Sequence, residues 1–99
     1  MEKRRPHYPL EVVRGLAADP ATCRLTRSAV EGGAVMGFSV AEVRAVVAAL
    51  GRGDFYKSIT TYHGATLWQD VYRPSTARGP VYLKVTVLEG LLVVSFKAR

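Results

Sequence analysis

The segment Pro80-Val81-Tyr82-Leu83-Lys84-Val85-Thr86-Val87-Leu88-Glu89-Gly90-Leu91-Leu92-Val93-Val94-Ser95-Phe96-Lys97 decides the fold. β-branched and aromatic residues alternate on either side of Glu89-Gly90, a dipeptide suited to a tight turn. A two-residue loop there sets Leu88 opposite Leu91, Val87 opposite Leu92, Val85 opposite Val94 and Leu83 opposite Phe96. That face is wholly apolar and is expected to lie under helices. The other face then carries Tyr82 opposite Lys97, Lys84 opposite Ser95 and Thr86 opposite Val93. Opposed Cβ atoms lie about 4.5–5.5 Å apart, so a phenol and two ammonium groups come within reach of one phosphate. A plain solvated face uses the same residue types, and the hairpin alone leaves both readings open.

Upstream, the same period predicts strands over Phe55–Tyr62 and Thr66–Arg73, besides Pro80–Leu88 and Leu91–Lys97. Tyr62-His63-Gly64-Ala65 is expected to turn between the first two, and Pro74 to Gly79 to form a longer loop. A three-residue turn of His63, Gly64 and Ala65 places Ile59 opposite Gln69 and Lys57 opposite Val71, so that Lys57 and Gln69 share a face. A four-residue turn puts them on opposite faces, and the residues do not decide. Arg73 and Arg78 flank the following loop, where they can steer a nucleic-acid backbone. Tyr56 alternates with polar strand positions and is a candidate stacking surface, whereas Trp68 reads as packing. His7 sits beside a helix start and His63 in a turn, and neither is expected to be catalytic. Asp54 and Asp70 read as capping or ion-pairing groups.

The first half is helical in pattern. Pro9 suits a helix start, and Leu10, Val13, Leu16 and Ala17 follow at helical spacing until Asp19-Pro20 stops them. Thr22 to Thr26 suits a short edge strand. Ser28-Ala29-Val30-Glu31 fits a capping box opening a helix that ends near Met36-Gly37. Ser39-Val40-Ala41-Glu42 fits a second, opening a helix whose Val40, Val43, Val47 and Leu50 form a core stripe, ended by Gly51 and Gly53. Helices first and strands after predict an α+β fold, with helices packed on one face of a curved antiparallel β-sheet.

Ninety-nine residues suit a single domain over 1–99, large enough to fold without disulfides. Hydrophobic residues make up 48% and charged residues 22%, which excludes a disordered chain. Fourteen Lys and Arg against eight Asp and Glu give a formal charge of +6, favouring polyphosphate partners, although a solubilising charge looks the same. Cys23 is the only cysteine, so no internal disulfide can form and a thiolate metal cluster is not expected. The opening Met1-Glu2-Lys3-Arg4-Arg5-Pro6 leads into no apolar segment, and the apolar run Val81 to Phe96 is broken by Lys84 and Glu89-Gly90. No membrane span and a cytoplasmic location are expected.

Three segments carry a resemblance to a known family: Asp54-Phe55-Tyr56-Lys57-Ser58-Ile59-Thr60-Thr61-Tyr62, Leu67-Trp68-Gln69-Asp70-Val71-Tyr72-Arg73-Pro74 and Val81-Tyr82-Leu83-Lys84-Val85-Thr86-Val87. With Val93-Val94-Ser95-Phe96-Lys97 and the opening Glu2-Lys3-Arg4 and Pro6-His7, they resemble the motility quorum-sensing regulator (MqsR) toxins. The resemblance spans essentially the whole chain, densely from Asp54 onward. It departs at His63-Gly64-Ala65, Ser75-Thr76-Ala77 and Gly32-Gly33.

The resemblance implies a RelE-like fold and an mRNA endonuclease that works away from the ribosome at short GC-containing sites, without metal or other cofactor. It also implies a cognate antitoxin, a zinc-binding protein with a helix-turn-helix domain, through which alone the toxin would meet DNA. Its active-site residues fall on Lys57, Gln69, Tyr82 and Lys97, and the last two are the pair already opposed by the hairpin register. Metal-free RNA cleavage uses the adjacent 2′-OH as nucleophile and leaves a 2′,3′-cyclic phosphate and a 5′-OH. Lys57 or Tyr82 is expected to move the proton, Lys97 and Lys84 to hold phosphate charge, and Gln69 to position substrate. Arg73, Arg78 and Tyr56 are further substrate-binding candidates. A non-catalytic nucleic-acid-binding module, or one that only docks an antitoxin, remains an alternative on the same residues.

Overall fold

The computed structural model describes residues 1–60 and 67–99. Among them the order is β1 (Glu2–Lys3), α1 (Leu10–Ala17), β2 (Cys23–Leu25), α2 (Arg27–Val35), α3 (Val40–Ala48), β3 (Phe55–Thr60), β4 (Trp68–Tyr72), β5 (Ser75–Thr76), β6 (Gly79–Val87) and β7 (Leu91–Ala98). The main sheet runs β1-β3-β4-β6-β7-β2, with β5 folded back on the start of β6. All neighbours are antiparallel except β2, which runs parallel to β7. The α+β expectation holds, with this parallel edge as its exception. No helix among the described residues is long and apolar enough to cross a membrane.

The core lies on one face of the sheet. Val13 and Ala17 of α1, Ala29 of α2 and Val43 and Val47 of α3 pack there with Leu50, Tyr72, Val81, Leu83, Val85, Leu91, Val93 and Phe96. Helix α3 opens with the expected capping box, Glu42 N donating to Ser39 Oγ (3.1 Å) and Ser39 N to Glu42 Oε1 (2.9 Å). Helix α2 differs from expectation. Its cap is Thr26, whose Oγ1 accepts from Ala29 N at 3.1 Å, and Ser28 lies inside the first turn. Strand β7 dictates that choice: Thr26 N donates to Val93 O (3.0 Å) and Thr26 Oγ1 to Val94 O (2.7 Å). Further along, α2 meets β7 so closely that a Cβ on Gly32 would overlap the Phe96 carbonyl oxygen.

The hairpin register splits into two parts. Near the open end Tyr82 faces Lys97, Leu83 faces Phe96 and Lys84 faces Ser95, as the sequence predicts. Near the turn Val85 faces Val93, Thr86 faces Leu92 and Val87 faces Leu91, one residue away from the expected pairing. The loop is Leu88-Glu89-Gly90 rather than two residues, with φ of 52° at Glu89 and 94° at Gly90. Val94 is the extra residue that restores the register as a bulge. Leu91 and Val93 therefore enter the core, where Leu92 and Val94 were expected. The cause lies outside the hairpin, because β2 pairs along Leu91 to Val93 and Thr26 binds the carbonyls at the bulge.

Candidate nucleic-acid-cleaving face

Pairing across β3, β4, β6 and β7 determines what the uncovered face presents. Lys57 faces Val71, Val71 faces Lys84 and Lys84 faces Ser95, so these four form one row across the sheet. Residues directly opposite share a face. Tyr82 and Lys97 form the next row, with Lys97 Nζ 5.5 Å from the centre of the Tyr82 ring. One step along β4 and β6 from Tyr72↔Leu83, Arg73 comes beside Tyr82. In the opposite direction, Ile59 faces Gln69 and Thr86 faces Leu92. Lys57 and Gln69 thus share the face, as a three-residue turn would require. The turn itself, with His63, lies outside the described residues.

Val71 is fully buried although it belongs to this helix-free face and not to the core cluster. Lysines on both flanks explain it, since lysine stems lie along apolar surface while their ammonium groups reach outward. The result is an apolar floor with a cation on each side. Gln69 is also buried, at 8% exposure, while Tyr82 and Lys84 are half-buried and Lys97 is exposed.

Strand β3 carries a bulge between Phe55, which faces Tyr72, and Lys57, which faces Val71. Tyr56 is the surplus residue, and cations gather on its ring. Arg73 lies 4.4 Å from the ring centre, Lys57 5.2 Å and Arg4 5.8 Å. Glu2 of β1 sits beside them, pairing with Lys57 at 3.4 Å and Arg4 at 3.7 Å.

Seven of the eight residues singled out from the sequence therefore meet on or beside this face: Tyr56, Lys57, Gln69, Arg73, Tyr82, Lys84 and Lys97. Arg78 does not. The β5–β6 turn carries it to the helical side, where it lies 5.0 Å over the Phe38 ring and 3.5 Å from Glu42. Arg4, near the Tyr56 ring, and Arg99, which borders a small notch with Tyr56 and Arg73, had not been singled out. Both are near a terminus, and the simple alternation from Lys97 to Arg99 was the signal for the second.

The remaining polar groups have structural work. Asp70, fully buried, accepts from His7 N (3.0 Å), Tyr8 N (2.9 Å) and Ser58 Oγ, clamping the N-terminal segment to the sheet. Trp68 is taken up by the same segment, stacked with His7 at 5.3 Å and covered by Lys3 Nζ at 4.2 Å. Asp54 Oδ2 caps Gly51 N at 2.8 Å. Burial pushes the Cys23 thiol up, and Arg44 opposes this only in part, which favours the protonated form. Among the described residues no His, Cys, Asp or Glu side chains are grouped as a metal-binding set.

Comparison with known proteins gives a concordant result. The family model described as "Motility quorum-sensing regulator, toxin of MqsA" matches residues 5–98. The chain is also similar to the mRNA interferase toxin MqsR of Escherichia coli (strain K12), 46% identical over 99 residues and covering all of both chains.

Proposed function

The chain belongs to the motility quorum-sensing regulator toxin family, and from that premise we propose how this mRNA-cleaving endoribonuclease works. The scissile phosphate sits over Val71, between Lys57 and Lys84, with Tyr82 and Lys97 in the adjoining row. Lys97 and Lys84 hold the charge that builds on phosphorus. The 2′-oxygen bonds to phosphorus as Lys57 or Tyr82 takes its proton. The bond to the 5′-oxygen breaks, and that oxygen receives a proton from the other of the two. Gln69 positions the nucleotide that supplies the 2′-OH. The substrate provides its own nucleophile, so the route needs no metal and ends in a 2′,3′-cyclic phosphate and a 5′-OH.

The observation that carries this reading is the row Lys57–Val71–Lys84 beside the pair Tyr82–Lys97, on the face that no helix among the described residues covers. Val71 is fully buried between these lysines, and Gln69 is buried beside it. The toxin has an antitoxin partner, as its family implies. We propose further that the partner is a zinc-binding helix-turn-helix protein through which alone the toxin meets DNA. The toxin acts as a single domain in the cytoplasm and cuts mRNA at short GC-containing sites without the ribosome.

The test is cleavage of an end-labelled, GC-containing RNA in EDTA by wild type and Lys97→Ala, with product ends identified by mass. Cyclic-phosphate ends from wild type, at least ~100-fold slower in the variant, support the assignment. Intact RNA with folded wild-type protein would reduce the face to a binding surface. Efficient cleavage of DNA, which lacks the 2′-OH, would overturn the mechanism.

A further inference from the structure

Beside the Tyr82–Lys97 pair lies a second feature of the uncovered face that proton transfer and charge stabilisation do not use. A notch of about 170 Å³ is bounded by Gly53, Asp54, Phe55, Tyr56, Arg73 and Arg99. Resting on the reading of this face as an RNA-cleaving site, we infer that the notch binds a backbone phosphate next to the one that is cut. Tyr56 is its wall, Arg73 and Arg99 are its donors, and Arg4 reaches the same ring.

The bulge in β3 makes the notch. Without a surplus residue, Tyr56 would alternate to the opposite face from Lys57. With it, the ring stays among the cations and collects Arg73, Lys57 and Arg4 within 5.8 Å of its centre. Both arginines of the notch are fixed at the main chain: Arg73 N donates to Asp54 O (2.7 Å) and Arg99 N to Pro80 O (3.0 Å). Neither Arg73 nor Arg99 is ion-paired with a carboxylate among the described residues. The carboxylate in the lining, Asp54, already accepts from Gly51 N. Guanidinium groups present a planar fork of donors and no acceptor, which matches the oxygens of a phosphate.

Position supplies the rest. Arg99 follows Lys97 by two residues, so alternation returns it to the same face about 6.7 Å along the strand. That is the scale of one step between successive phosphates in an extended strand. Arg73 borders Tyr82 across β4 and β6. A strand held over Val71 therefore runs past Lys97 into the notch.

The experiment uses short GC-containing RNAs in which a single linkage, on one side of the cut or the other, is an uncharged methylphosphonate. Kinetics are measured for wild type and Arg99→Gln, a change at an exposed terminal residue that leaves the core untouched. On fully charged RNA, Arg99→Gln raises KM about tenfold with kcat moving less than twofold, as for lost uniform binding. The salt slope of log KM falls by about 0.7 per lost phosphate contact. With the neutral linkage at the position read by the notch, wild type and variant have the same KM.

A KM penalty for Arg99→Gln that persists on both neutral-linkage RNAs would overturn the subsite, as would no penalty on charged RNA. If wild type cuts none of these RNAs, the nuclease reading fails by itself. The subsite is then read from binding of a 2′-deoxy analogue at the scissile position, with the same comparison of neutral and charged linkages deciding it.

Discussion

The two faces of strand β6 have opposite chemistry although they are built from neighbouring residues. Val81, Leu83 and Val85 are fully buried under the helices, while Tyr82 and Lys84 alternate with them on the uncovered side. A period of two lets one strand serve packing and substrate with separate sets of side chains. The covered face tolerates volume changes poorly because its side chains interdigitate with α1, α2 and α3. Around Tyr82, Lys84 and Lys97 the uncovered face has few packing demands and is free to hold like charges together. Stability and activity should therefore separate residue by residue along β6.

The sharpest way to break that comparison is to change adjacent residues. Leu83→Ala should cost about 2–5 kcal/mol by leaving a cavity, a large share of a small domain's stability. A denaturant titration reads it directly. Tyr82→Phe should leave the unfolding midpoint nearly unmoved and slow cleavage about 100-fold or more. Comparable losses of stability in the two variants would mean that the faces are not independent.

Asp70 tests the exception, a carboxylate on the covered side. Its replacement by Ala strands the donors of His7, Tyr8 and Ser58, and should cost about 2–4 kcal/mol. Hydrogen exchange at His7 and Tyr8 should accelerate before global unfolding, since the clamp holds the N-terminal segment to β4. Because that segment carries Arg4, KM for RNA should rise together with the lost protection. Unchanged exchange at those two amides would show that the segment is held by its Trp68 stack instead.

The two faces also differed in how much the sequence disclosed. Tyr82 opposite Lys97 came out as read from the turn because the Val94 bulge cancels the one-residue shift of the longer loop. Pairing at the turn was misread because its determinants are distant: β2 beside Leu91, and Thr26 on the carbonyls of Val93 and Val94. The same contact moved the cap of α2 from Ser28 to Thr26. For Lys57 and Gln69 the residues left two registers open, and pairing of Ile59 with Gln69 selects one. Strands β1 and β5, two residues each, are too short to show a period. Arg78 neighbours Arg73 in sequence, but Glu42 and Phe38 hold it on the other side of the molecule.

Ser39 keeps the box that its four residues spell, whereas the Ser28 box, spelled by the same pattern, gives way to Thr26 held on β7. Ser39→Ala should cost about 1 kcal/mol, read as a lower unfolding midpoint without change in kcat. The same box gives a pH dependence. The Glu42 carboxyl is held below its ordinary range first by the Ser39 N–H, then by the Ser39 hydroxyl, with a smaller contribution from Arg78. A depressed carboxyl stabilises the fold above its unfolded pKa, and that stability is lost as pH falls through the folded value. Wild type should lose this increment on acidification, and Ser39→Ala should lose less. A parallel acid limb in the two proteins would mean that the box contributes nothing.

The smallest effect is expected where the covered face breaks its own rule. Tyr72 packs edge-on against Phe55 at 5.6 Å and is 1% exposed, yet its hydroxyl is buried without a hydrogen-bond partner among the described residues. Burial first, and then the nearby Asp70, push its pKa up from 10.0 to about 12. An unfolded chain releases that proton near pH 10, whereas the folded one keeps it. Folded protein thus binds more protons between the two values, and stability falls as pH rises through that window, with no effect at neutrality. Tyr72→Phe removes the unpaired hydroxyl and the titration together. At pH 7 its stability should match wild type or exceed it by up to ~1 kcal/mol. Above pH 10 the variant should gain steadily on wild type in thermal melts. A loss at pH 7 would mean that the hydroxyl is hydrogen-bonded in solution, and the covered face would then hold a polar contact beside Asp70 rather than an uncompensated phenol.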